Sequence, residues 1–109
     1  MHTNAKRIRA LNDQLRTTGK GGNIMMTAGI AALGGPKLTA IMTAVQTFDR
    51  FTPDNDPFGE HDCAVLEVDG ERIIFKIDYY DCTMSWHSPD AADPKLTKRV
   101  LTIMLASEY

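Results

Sequence analysis

The stretch Ala64–Tyr80, AVLEVDGERIIFKIDYY, decides the fold. Two runs rich in aliphatic, β-branched and aromatic residues flank Asp69-Gly70, the dipeptide favoured in a tight two-residue hairpin turn. Counting outward from that turn sets Val68 opposite Glu71, Glu67 opposite Arg72, Leu66 opposite Ile73, Val65 opposite Ile74 and Ala64 opposite Phe75. Glu67 and Arg72 then form a complementary cross-strand pair. Carried further, the register places Cys63 opposite Lys76 and His61 opposite Asp78, so Cys63 and Cys82 do not face each other in the hairpin.

Upstream, Ile8, Leu11 and Leu15 recur at helical spacing, with Thr3 or Asn4 as cap and the basic residues facing away. TTGKGG (17–22) ends that helix. Ile24–Ala28, short, apolar and enclosed by glycines, reads as a buried strand, and Pro36 opens a second helix carrying Leu38, Ile41, Met42, Val45 and Phe48 on one face. Downstream, CTMSW (82–86) reads as a further short strand. Asp93 and Pro94 open a third helix, in which Leu96, Val100, Leu101, Ile103, Met104 and Leu105 leave little polar surface. The expected architecture is a single α+β domain over residues 1–109: a small antiparallel sheet with a central β-hairpin, covered by three helices.

The 109 residues, 43% hydrophobic and 24% charged, suit one core without metal or disulfide staples. No apolar run approaches the length of a membrane span, and the N-terminus has no secretory apolar core. Two cysteines outside any CxxC pattern read as reduced thiols, which with the missing export signal predicts a cytoplasmic protein. The charge is bipolar. Residues 1–20 hold five cations against one acid, whereas residues 49–93 hold twelve acids against three cations. Such asymmetry bears on partners and association rates.

The most chemically loaded segment is TPDNDPFGEHD (52–62). Asp54, Asp56 and Gly59 match the opening of an EF-hand loop, but Phe58 and Val65 stand where that loop needs ligands. Glu60, His61 and Asp62, with Asp78 across the hairpin, could serve a metal or acid/base chemistry, yet His2 and His87 are not placed to complete a facial ligand set. The simpler expectation is that His61 is structural, held by Asp78 or a backbone oxygen. Asp78 and Asp81 in KIDYYD are a second pair of acids, and only one of Tyr79 and Tyr80 can face the core. A Cys63–His61 nucleophile lacks any oxyanion element. GKGG (19–22) lacks the phosphate-loop pattern, and the scattered cations of the first helix are a weak case for nucleic acid. No cofactor and no catalytic residue is assigned.

RIRALNDQLRTTGKGG, IMMTAGIAAL, FTPDNDPFGEHD, FKIDYYD, SPDAADP and RVLTIMLASEY together resemble a family of small bacterial proteins classed as a domain of unknown function, number 3768, over about residues 7–109. Where that family carries an aromatic–glycine pair this chain has Cys63-Ala64. The resemblance implies a bacterial protein often borne on plasmids and other mobile elements, with accessory or host-interaction roles; small inhibitors of host defence, anti-CRISPR proteins among them, act by binding. The leading expectation is therefore a binding protein whose acidic surface, formed by Asp54, Asp56, Glu60, Asp62, Asp78, Tyr80 and Asp81, engages a basic protein or nucleoprotein, without a membrane and without direct contact to nucleic acid. The alternatives are a metal-dependent or acid/base hydrolase built on Glu60, His61, Asp62 and Asp78, and a homo-oligomer joined through the apolar last helix.

Overall fold

The computed structural model describes residues 4–109. Helix α1 (Ala5–Thr18) is followed by strand β1 (Asn23–Met26), helices α2 (Ala28–Leu33) and α3 (Gly35–Thr47), strands β2 (Cys63–Val68), β3 (Glu71–Tyr80) and β4 (Lys98–Leu105), and a 3-10 turn, Ala106–Glu108. The sheet order is β1-β4-β3-β2, an α+β arrangement.

The hairpin forms at Asp69-Gly70, both at positive φ, and its six residue pairs from Cys63–Lys76 to Val68–Glu71 match the register read from the sequence. Helix α1 runs as expected to Gly19, whose left-handed backbone suits glycine and whose N–H bonds the Leu15 carbonyl. Asn4 stands at its N-cap without a side-chain cap bond, and Thr3 lies outside the described residues.

Four expectations are corrected. The last apolar run is not a helix: Lys98–Leu105 is β4, the central strand between β1 and β3. Both its faces are largely buried, so it shows no alternation, and a continuous apolar run does not separate strand from helix. The sheet is mixed, because β1 pairs with β4 in parallel. The three helices are α1, α2 and α3, with α2 taking residues read as strand and linker. CTMSW is a turn, with one bridge between Tyr80 and His87, because Asp81 draws the chain back on itself.

Register assigns the faces. Ala64, Ile73, Phe75, Ile77, Leu101 and Ile103 point to one side and meet Leu15 of α1, Ile30 of α2, and Ile41 and Val45 of α3. That cluster is the core. Gly22 is needed for its closure, since a Cβ there would lie 2.5 Å from the Arg99 carbonyl oxygen and 2.8 Å from Leu15 Cδ2. The opposite face presents Cys63, Val65, Glu67, Arg72, Ile74, Lys76, Asp78 and Tyr80.

Candidate functional site

Helix α1 holds the acidic loop through three side chains on or beside its core-facing stripe. Asn12, 0% exposed, donates through Nδ2 to the Glu60 carbonyl oxygen at 3.0 Å and to Tyr79 Oη at 2.8 Å. Its Oδ1 accepts from Arg99 Nε at 2.6 Å. Tyr79 in turn donates to Glu60 Oε1 at 2.9 Å, and Arg99 lies 5.0 Å over the Tyr79 ring. Burial, with the Glu60 charge adding to it against the Asn12 bond, pushes the Tyr79 phenol well above its ordinary value, so it stays protonated and donating. Burial likewise lowers Arg99 from its ordinary value, the Glu60 charge working the other way.

A second chain of contacts runs through Arg16. This side chain, 4% exposed, turns into the core and corrects the expectation that the basic residues of α1 face away. Its Nη1 donates to the carbonyl oxygens of Val45, Gln46 and Phe48 at 3.1, 3.4 and 2.8 Å. These oxygens sit at the end of α3, where helical partners run out and a cation complements the helix dipole. Arg16 Nη2 bonds Asp13 Oδ1 at 2.9 Å, and His61 Nδ1 reaches the same oxygen at 2.8 Å. His61 stacks on Phe51 with ring centroids 3.8 Å apart. Its main-chain N–H donates to Asp56 Oδ1 at 3.2 Å, and its ring Nε2 stands 3.6 Å from Asp56 Oδ2.

His61 is therefore tied to Asp13 and Asp56, not to Asp78 as the extended register suggested. The ladder's last bond is from Ile77 N–H to the Asp62 main-chain carbonyl oxygen, and the positive φ of His61 turns the chain out of the strand direction. Asp78 instead bonds Lys76 at 2.7 Å, which raises the lysine above its ordinary value.

The seven candidate contact residues divide three ways. Asp56 is buried against His61, and Glu60 turns in toward Tyr79. Asp81 accepts from Thr83 Oγ1 and from the N–H groups of Ser85 and Trp86. Residual desolvation opposes them, yet these bonds hold its carboxyl below the ordinary value. Asp62, Asp78 and Tyr80 lie on or beside the face opposite the core, and Asp54 is exposed on the loop. Asp62 and Asp78 share a cavity of about 490 Å³ with Cys63, Val65, Lys76 and Tyr109. Burial pushes the Asp62 carboxyl up, and burial together with Asp62 and Asp56 pushes the Cys63 thiol up, disfavouring a thiolate there. Among the described residues no three His, Cys, Asp or Glu side chains converge as a metal-ligand set. Both cysteines are free and exposed, Cys63 with its thiol partly sheltered by the cavity.

Comparison with known families matches residues 26–108 to the family described as Protein of unknown function (DUF3768). The chain belongs to that family. The family segment holds the hairpin, the acidic loop, β4 and the C-terminal turn, while Asn12, Asp13 and Arg16 lie before it. No curated protein and no solved structure matches the chain. Among the described residues no helix is long and apolar enough to cross a membrane.

Sequence reading missed Asn12, Asp13, Arg16, Phe51 and Arg99 as parts of the site. A signal was present for three of them. Asn12 and Arg16 fall on the same α1 stripe as Ile8 and Leu15, and Arg99 alternates with Leu101 and Ile103 on the core face of β4.

Proposed function

We propose that the protein is a binding module whose contact surface is the acidic side of the sheet opposite the core. The observation that carries this reading is the unequal use of the two sheet faces. The helices complete the core on one, while the other keeps Val65 57% exposed above a cavity edged by Asp62 and Asp78. On that face Asp78 and Glu67 are paired with Lys76 and Arg72, so the excess negative charge is that of Asp62 at the cavity and Asp54 on the loop; it favours a basic protein or nucleoprotein, speeds its encounter, and makes binding weaken as salt rises. Loop anchoring through His61 and Tyr79 supports the same reading, because a preordered surface loses less entropy on contact. The finer role, inhibition of a host defence system by occupying a cationic nucleic-acid groove, follows by analogy with other small proteins of mobile elements.

The test is capture of partners from bacterial lysate by the intact protein, then salt titration of the purified pair. Asp54→Lys with Asp62→Lys is the informative double variant, since Asp56 is spoken for by His61. Weaker binding and a flatter salt dependence are expected. Unchanged affinity and an unchanged salt slope would remove the acidic face from the interaction.

A further inference from the structure

The exposed edge of the sheet at β2 offers main-chain groups as well as charge. In a two-residue hairpin the flanking pair, Val68 and Glu71, exchanges main-chain bonds, and such pairs alternate along the ladder. The Ile77 N–H to Asp62 oxygen bond of 2.7 Å falls in that alternation at the far end. Leu66 and Ala64 are thus bonded to β3, while the N–H and C=O groups of Cys63, Val65 and Glu67 point away from the sheet. Among the described residues none of these outward groups has a hydrogen-bond partner. Glu67 puts a charge on this edge, a device that discourages indiscriminate strand pairing, but no proline or bulge interrupts it.

Space lies on both sides of this edge. A cavity of about 680 Å³ is lined by Val65, Leu66 and Glu67 on one wall and by Phe48, Arg50 and Asn55 on another. The cavity on the opposite face also includes Asn55 and Val65, so the two flank the same strand. Asn55 of the loop borders both cavities, so a chain added to β2 lies beside that loop.

We infer that β2 accepts a basic, extended peptide of a partner protein as an added strand, bonded to the main chain of Cys63, Val65 and Glu67. This deepens the binding reading above and rests on it. Strand addition draws affinity from main-chain bonds and specificity from alternate side chains. Here one set of side chains enters the cavity over Leu66 and Phe48, which takes apolar groups. The other set lies on the face where Val65 sits between Cys63 and Glu67, with Asp62 lining the cavity beside them. Along the edge Lys76 is bonded to Asp78 and Arg72 reaches Glu67 at 3.4 Å, which leaves Asp62 in one flanking cavity to meet lysine or arginine, while Asp49 in the other stands beside Arg50.

The probe is a short capped peptide alternating lysine and valine. It is compared with one in which glutamate replaces lysine, and with one N-methylated on the edge-facing amides. Binding is read by NMR and by hydrogen exchange of Cys63, Val65 and Glu67. The lysine peptide is expected to bind and to protect these amides. N-methylation, or Val65→Pro in the protein, should weaken it about tenfold or more, the loss of one or two main-chain bonds. Proline at Val65 leaves the β3 ladder intact, because its missing N–H faces outward. Asp62→Lys tests the charge reading separately. Strand addition is overturned, with the acidic surface left standing, if Asp62→Lys weakens binding and Val65→Pro does not. It is overturned as well if the lysine peptide fails to bind at millimolar concentration. Protection of the same amides by the protein alone, rising with its concentration, would assign the edge to a second copy and overturn the peptide.

Discussion

Arg99 Nε donates to Asn12 Oδ1 over 2.6 Å, joining β4 to α1 across 87 residues of chain. Both side chains are buried, and Asn12 spends its amide protons on Tyr79 and Glu60. Asn12→Ala therefore leaves a buried guanidinium without one acceptor and a main-chain oxygen without a donor. Unfolding stability should fall by about 3 kcal/mol, read from urea midpoints at constant slope. Asn12→Asp restores an acceptor for Arg99 but sets a carboxylate oxygen against the Glu60 carbonyl oxygen, so it should recover part of the loss.

Arg16→Lys makes a sharper test of how α1 holds α3. Lysine keeps the charge but loses the planar fork that serves three carbonyl oxygens and Asp13 together. A loss of about 2 kcal/mol is expected. The amides of the last turn of α3 should exchange faster than those of β3, since the contacts removed are local to that end. Uniform exchange across the chain would place Arg16 in the global core instead.

The hairpin was legible because its information is local. Turn dipeptide, alternation and register sit within residues 63–77, and the six pairs follow from counting. β4 was not legible as a strand, because a central strand buried on both faces loses the alternation that identifies strands. The β-branched residues Val100, Thr102 and Ile103 were the remaining signal, and Leu101, Met104 and Leu105 outweighed it for helix. The acidic loop was recognisable by composition, yet the partner of His61 was not. That partner, Asp13, lies 48 residues away on a helix whose docking no local pattern encodes. A single positive φ at His61 was enough to redirect the side chain from Asp78.

The C-terminal turn is held by one carboxylate. Glu108 Oε1 accepts from Thr27 Oγ1 at 2.6 Å and Leu105 N–H at 2.9 Å, and its Oε2 accepts from Gly29 N–H at 3.0 Å. The Thr27 bond, then those from Leu105 and Gly29, keep its carboxyl below the ordinary value of 4.5. A depressed folded value means that the stabilisation is present above the unfolded value and is lost as pH falls through the folded one. Glu108→Gln should therefore lower stability near about pH 7, and the gap from the unaltered protein should close near about pH 3. Urea titrations of both proteins across that window check the sign.

Cys63 and Asp62 are neighbours in sequence and share the cavity on the face opposite the core. The thiol is raised first by burial, then by the negative charges of Asp62 and Asp56. The thiolate is the alkylating species, so its population sets the rate at neutral pH. Asp62→Asn removes the nearer charge at nearly unchanged volume, and Cys63 should then react faster with iodoacetamide. Asp56→Asn should act in the same direction and more weakly, although it also loosens His61 and so must be read beside a stability measurement. Peptide mapping by mass spectrometry separates Cys63 from Cys82, which lies near the Lys95 carbonyl oxygen and serves as the internal reference. An unchanged Cys63 rate in Asp62→Asn, with the Cys82 rate constant, would mean that the Asp62 carboxylate does not face this cavity. The proposed acidic contact surface would then lose the residue on which its charge test depends.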